Sequence, residues 1–236
     1  MTDPARVEGV ALVGGGTGAL GRAVVADLLD AGAQVVTTWL LEHERDAVSS
    51  ELGDRDGLTL IEANLLDGGA ETAVTAAAAI GPVTALVNLV GGFSPGPRLH
   101  EADPAQLEKM LALNLTSAVN CCRAALPELT NGGGSIVCVG TRAALRPFTG
   151  GSAYAISKAA VLALVRSLHA EYRDDGVRAN AIVPSVIDTP RNREEMPDAD
   201  FDAWVKPAEI ARVIRFLCSP DSTPISGAEI PVYGRA

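Results

Sequence analysis

Short apolar runs at residues 9–13, 33–38, 58–62, 83–89, 134–140, 177–183 and 227–232 alternate with amphipathic stretches along almost the whole chain. Runs of this length, rich in Val, Ile and Leu, predict strands buried on both faces, and the apolar spacing between them predicts helices. Strand–helix alternation requires crossover connections, which give a parallel sheet covered on both sides. Right-handed crossovers make this a doubly wound, Rossmann-type α/β sheet of about seven strands, with ligands expected at the carboxyl ends of the strands. No linker, repeat or low-complexity tract interrupts the pattern, so one domain over residues 1–236 is expected.

Residues 72–97 carry no charge, a length that elsewhere marks a membrane helix. Here Gly81-Pro82, Asn88, Gly91-Gly92 and Pro95 would break such a helix repeatedly, so the segment reads as helix, turn, buried strand and loop. Two long helices are expected at 103–130 and 152–174.

Charge narrows the function classes. Nineteen Lys and Arg stand against 29 Asp and Glu, a net charge of −10, which argues against nucleic acid or an anionic membrane as partner. The first residues, MTDPARVEGV, hold no apolar stretch before a cleavage site, so a cytoplasmic protein is expected. Cysteines 121, 122, 138 and 218 show no C-x-x-C spacing, and His43, His100 and His169 lie far apart. Neither a disulfide framework nor a metal site is expected.

The candidate chemistry starts at ALVGGGTGALGRAVV, residues 11–25, which reads as a buried strand, a glycine turn and a helix. Without Cβ atoms the turn's backbone N–H groups can approach an anion, and the positive end of the helix dipole points at the same place. Gly16, Gly18 and Gly21 satisfy G-x-G-x-x-G, while Gly15, Ala19 and Gly21 satisfy G-x-x-x-[GA]-x-G equally well. The residues after the other strands are also small or polar: Asn64-Leu65, Asn88 to Gly92, Gly140-Thr141 and Pro184 to Thr189, with Trp39-Leu40 the exception. Tyr154 and Lys158, four residues apart, lie on one face of the helix they share. A free tyrosine, with a pKa near ~10, is a poor base at neutral pH; an ammonium beside it favours the phenolate.

Tyr154-x-x-x-Lys158, the hydroxyl of Thr141 upstream, Asn114 within LALNLTSAVN, the glycine turn and RANAIVPSVIDTP stand in the order and spacing of the short-chain dehydrogenase/reductase family, which the chain resembles from about residue 9 to about residue 234. The resemblance selects the T-G-x-x-x-[GA]-x-G register, with Gly15, Ala19 and Gly21 at the glycine positions and Gly14 in place of the threonine. It implies a nicotinamide cofactor, NAD or NADP, across the strand ends, held by Gly14, Gly15, Thr17, Gly18, Ala19, Leu20, Gly21, Trp39, Leu40, Asn64, Leu65, Asn88, Val90, Gly91, Tyr154, Lys158, Pro184, Ile187 and Thr189. In these terms Tyr154 is the general acid in reduction and the base in oxidation. Lys158 holds the nicotinamide ribose and depresses the tyrosine pKa, Thr141 hydrogen-bonds the substrate oxygen, and Asn114 holds a water that links Lys158 to solvent. Ile187 and Thr189 meet the carboxamide, Asn64 and Leu65 the adenine. The chain departs from the family at Thr141, where serine is usual, at Asn88-Leu89-Val90-Gly91 in place of N-N-A-G, and at Pro184-Ser185 in place of P-G.

An acidic residue about 20 positions beyond the glycines holds the ribose of NAD, and a nearby arginine accommodates the 2′-phosphate of NADP. Trp39 and Leu40 are neither; Gly18 stands where users of NADP carry a basic residue, and Glu42 is the nearest charge, which tips the expectation to NAD. The segment RNREEMPDADFDAW, 191–204, falls where the family places a flap over the substrate. Phe93, Arg142, Arg146, Phe148 and Trp204 are expected to line the pocket, which suits a small alcohol or carbonyl compound with an aromatic or apolar body. The resemblance implies a homodimer or homotetramer formed through the two long helices. The alternatives to an oxidoreductase are a dinucleotide-binding regulatory protein with little turnover, suggested by Gly14, Leu89, Val90 and Thr141, and an epimerase or dehydratase using the same Tyr-Lys pair.

Overall fold

The computed structural model describes residues 5–53 and 55–235. Its elements are β1 (Val10–Gly14), α1 (Ala19–Asp30), β2 (Gln34–Trp39), α2 (Glu42–Leu52), β3 (Leu58–Glu62), α3 (Gly69–Ile80), β4 (Val83–Asn88), α4 (Pro104–Leu111), α5 (Ser117–Gly132), β5 (Gly134–Val139), α6 (Arg142–Leu145), α7 (Ser152–Tyr172), β6 (Val177–Pro184), α8 (Pro190–Glu195), α9 (Pro207–Cys218) and β7 (Glu229–Val232). All seven expected strands are present within one or two residues of their expected ends.

The strands form one parallel sheet in the order β3-β2-β1-β4-β5-β6-β7. Successive side chains of a strand point to opposite faces, and here both faces are covered. Val10 and Leu12 of β1 join a core beneath α3, α5 and α7; Ala11 and Val13, between them, join a second core beneath α1 and α9. This double burial explains why the strands read as unbroken apolar runs. Chain order reverses between β1 and β4, which opens a crevice at their carboxyl ends.

The helix expected at 103–130 is interrupted. It begins at Pro104 behind the Asp103 cap, whose carboxylate accepts from the Ala105 N–H at 2.9 Å, but residues 112–116 form a π turn between α4 and α5. One extra residue in the turn displaces the side chains around Asn114 from ordinary helical positions. The segment 191–204, expected as a flap, holds all but the first residue of α8 and a 3₁₀ turn at Phe201–Ala203. No helix among the described residues is long and apolar enough to cross a membrane.

Candidate active site

At the reversal lies a cleft of about 320 Å³. Nine of the residues expected to hold a cofactor wall it: Gly15, Thr17 and Gly18 after β1, Trp39 and Leu40 after β2, Asn64 and Leu65 after β3, Val90 and Gly91 after β4. Leu89, read above only as a departure from the family, completes the wall with Thr38, Leu41, Glu44, Ala63, Leu66, Leu113 and Ser117, which escaped the sequence reading. A polar Thr38 inside an apolar strand was the available signal; nothing in an exposed, charged helix singled out Glu44. Gly14 and Asn88 lie behind the wall as register partners of β1 and β4. Ala19, Leu20 and Gly21 form the first turn of α1 behind Gly18, and Pro184, Ile187 and Thr189 lie beyond this cleft, at and after the end of β6.

The glycine turn has the form an anion needs. Gly15 adopts φ +79°, a conformation that disfavours other residues, and a Cβ there would sit 3.0 Å from the Val90 backbone nitrogen. Its N–H donates to the Thr38 hydroxyl at 3.3 Å, and the Arg22 guanidinium donates to the Thr17 carbonyl at 2.7 Å while pairing with Glu51 of α2. A Cβ on Gly18 would meet nothing nearer than the Gly15 carbonyl at 3.7 Å, so this residue leaves open space on the cleft wall. Among the described residues no side chain caps α1. Its free N–H groups and dipole therefore face the turn, and together these features fit the pyrophosphate of a dinucleotide. One departure leaves a mark: with Gly14 where the family carries threonine, the buried Asn88 Oδ1 has no hydrogen-bond partner among the described residues.

Tyr154 and Lys158 both project from α7 toward the ends of β4 and β5. Thr141 caps α6, accepting from the Ala143 N–H at 3.3 Å, and its hydroxyl hydrogen-bonds the Tyr154 phenol. Burial holds the phenol above its ordinary value near 10, and the Thr141 hydrogen bond opposes part of that rise. The expected depression by Lys158 is corrected here. The Lys158 ammonium donates to the Val139 carbonyl at 2.8 Å, and it does not offset the desolvation of the phenol. Burial brings Lys158 itself down from 10.5 to about 8.

Asn114 is 1% exposed and its amide is engaged by the protein. Its Nδ2 donates to the Gly92 carbonyl at 3.1 Å and to the Ser157 hydroxyl at 2.9 Å, while its Oδ1 accepts from the Gly92 N–H at 2.9 Å. Ser157 in turn donates to the Tyr154 carbonyl at 2.8 Å. Through these bonds Asn114 clamps the loop after β4 to α7. Gly91 is pressed between the two partners: a Cβ there would lie 2.6 Å from Asn114 Oδ1 and 2.9 Å from Lys158 Nζ.

The loop so clamped carries Phe93, whose ring meets Tyr154 edge-on at 5.1 Å and Phe148 at 6.2 Å. Phe93 and Phe148 are 39% and 49% exposed, so an apolar wall stands open beside the phenol. Arg142 lies 5.6 Å over the Tyr233 ring. Trp204 is a correction: it is 7% exposed and packs on Phe201 at 4.8 Å, whose ring also takes the Arg193 guanidinium at 4.8 Å. Arg193 is forked onto the Asp188 carboxylate at 2.6 and 2.8 Å, which ties α8 to the segment after β6. Thr189 caps α8, accepting from the Asn192 N–H at 3.2 Å, and Asn192 Nδ2 donates to the Ile187 carbonyl at 2.8 Å. Asn64 Oδ1 likewise accepts from the Leu66 N–H at 3.0 Å, shaping the turn after β3.

A family model for short-chain dehydrogenases/reductases, described as enoyl-(acyl carrier protein) reductase, matches residues 16–234. The chain belongs to the short-chain dehydrogenase/reductase family. It is 31% identical over 242 residues to 2-(R)-hydroxypropyl-CoM dehydrogenase of Xanthobacter autotrophicus, covering 95% of this chain and 97% of that one. It is 32% identical over 237 residues to 2,5-dichloro-2,5-cyclohexadiene-1,4-diol dehydrogenase LinX of Sphingobium indicum, covering 95% and 94%. A short-chain type dehydrogenase/reductase from Mycobacterium ulcerans shares the fold at a TM-score of 0.90, covering 97% of this chain and 90% of that one at 24% identity. The protein is accordingly an NAD(P)-dependent oxidoreductase acting on an alcohol/carbonyl pair; neither the regulatory nor the epimerase alternative is favoured.

The buried Lys158 makes stability of the cofactor-free dehydrogenase depend on pH. Below pH 8 the folded and unfolded chains both carry the proton, and the folded chain bears the full cost of a desolvated ammonium. Between about 8 and 10.5 the unfolded chain binds more protons, so stability rises with pH by up to about 3 kcal/mol. Lys158→Met removes this dependence. Thermal melts at pH 7 are expected to show the variant above the wild type, with the gap closing toward pH 10.5; a gap constant with pH contradicts the assignment.

Proposed function

We propose that the chain reduces a small carbonyl compound with an aromatic or apolar body, and oxidises the corresponding alcohol, with NAD rather than NADP in the cleft. The open wall of Phe93 and Phe148 against the Tyr154 ring carries this reading of the substrate, because aromatic edges and faces hold a flat apolar body beside a polar reacting atom. The net charge of −10 repels an acidic carrier protein, which favours a free small molecule.

The residues along the cleft from Gly15 to Trp39, Asn64 and Gly91 hold the adenosine and pyrophosphate, and Pro184, Ile187 and Thr189 flank the nicotinamide end. When bound, the nicotinamide supplies a hydride in reduction and takes one up in oxidation. The Tyr154 phenol, kept protonated by burial, donates its proton to the carbonyl oxygen in reduction. The Thr141 hydroxyl, already bonded to the phenol, orients that oxygen. Lys158 places its positive charge on the ribose side of Tyr154, and Asn114 with Ser157 fixes the backbone at Tyr154. In oxidation the phenolate takes the alcohol proton, so the oxidation rate rises with pH while the reduction rate holds at neutral pH. No Lys or Arg walls the cleft among the described residues, which favours NAD. Four buried, unpaired cysteines suit a reducing cytoplasm, and a homodimer or homotetramer through α5 and α7 is proposed, since α7 leaves Ile156 exposed.

Assays of NADH oxidation with benzaldehydes, cyclic ketones and short aliphatic aldehydes test the substrate class. The aromatic and cyclic compounds are expected to show the highest kcat/KM, and Phe93→Ala to raise their KM by about 10-fold, the worth of one aromatic contact with its buried area. Equal kcat/KM across the panel, or a Phe93→Ala variant indifferent to substrate, contradicts the reading.

A further inference from the structure

We propose that Glu44 of α2 selects the cofactor, its carboxylate accepting the hydroxyls of the adenosine ribose and turning away a ribose 2′-phosphate. The proposal rests on NAD as the cofactor and names the residue that decides it. Trp39 and Leu40, at the strand end where an acid reads the ribose in such folds, offer no hydrogen-bond acceptor in their side chains. Glu44 takes up that task from the next helix. It is half-buried on the cleft wall, and its Oε2 accepts from the hydroxyl of the buried Thr17, in the glycine turn, at 3.4 Å. This sets a carboxylate against the glycine turn, on the same cleft wall as Trp39.

Charge at this end of the cleft is one-sided. Glu44 is the single charged residue on the described wall. Arg45, next to Glu44 in the chain, and Arg22, bonded to the glycine turn, are both already engaged. Arg45 lies 5.1 Å over Trp39 and is bonded to Asp46 at 2.8 and 3.0 Å, and Arg22 pairs with Glu51 and the Thr17 carbonyl. A ribose diol has two donors for the carboxylate, whereas a 2′-phosphate brings a second anion to it with no free cation on the wall.

The test is equilibrium binding, read by energy transfer from tryptophan to the reduced nicotinamide during titration with NADH and with NADPH, so that no substrate is needed. Wild type is expected to bind NADH at least about 10-fold more tightly than NADPH. Glu44→Gln should weaken NADH by about 10-fold, the worth of a charged hydrogen bond, and erase the preference. Glu44→Arg should invert it. A wild type that prefers NADPH overturns both NAD as cofactor and the role of Glu44. A wild type that prefers NADH, with both variants folded by their melts and keeping the wild-type ratio, overturns Glu44 alone.

Discussion

Tyr154→Phe is expected to lower kcat by about 10²–10⁴-fold while leaving the affinity for NADH unchanged. The substitution removes one oxygen and little else: the ring that packs against Phe93 is kept, and the Thr141 hydroxyl and the α6 cap it forms remain in place. What disappears is the proton that neutralises the oxygen as the carbonyl is reduced. The Thr141 hydroxyl that remains is an aliphatic alcohol, a far weaker acid than a phenol, and does not replace the lost donor at neutral pH. Steady-state rates with the best carbonyl substrate, together with NADH titration, check the expectation. Turnover near the wild-type level identifies a different proton donor.

Asn114→Ala is expected to destabilise the fold by about 2–4 kcal/mol, because the Gly92 N–H and C=O and the Ser157 hydroxyl lose buried partners at once. In a chain of this size that lowers Tm by about 5–15 °C. A second effect separates this clamp from a bystander. The loop that carries Phe93 and the helix that carries Tyr154 are joined through this amide, so kcat should fall in the variant at temperatures where it is still fully folded. Asn114→Asp keeps the acceptor for the Gly92 N–H but loses both donors, and should fall between the wild type and alanine in both measurements. A variant with unchanged Tm and unchanged kcat shows that the amide clamps nothing.

The sheet was legible because double burial writes each strand as an unbroken run of Val, Ile and Leu, and the glycine turn because no other residue tolerates the Gly15 conformation beside Val90. The order of motifs along the chain also placed Thr141, Tyr154 and Lys158 at one strand edge. Four features were hidden for physical reasons. The residues ALNLT are as good in an α-helix as in a π turn, so the displacement that aims Asn114 at Gly92 leaves no trace in composition. Trp204 lies in a charged stretch and reads as a pocket-lining aromatic, yet it is buried against Phe201, whose ring also takes the Arg193 guanidinium. Glu44 sits in a polar helix where a carboxylate is ordinary; only the packing of α2 against the glycine turn brings it to Thr17. The direction of the Tyr154 shift was hidden for the same reason, since spacing puts Lys158 on the right face of α7 but does not reveal that the Val139 carbonyl takes its ammonium.

The central claim is that a hydride passes to a carbonyl carbon held beside Tyr154, and isotopic labelling reads that transfer directly. Purified protein is incubated with NADH deuterated at the transferable C4 position and with the carbonyl compound of highest kcat/KM, and the product is analysed by mass spectrometry. One deuterium on the former carbonyl carbon of the product alcohol, absent with Tyr154→Phe over the same time, is the expected result. Bound NADH with no label in any product from the panel contradicts the account.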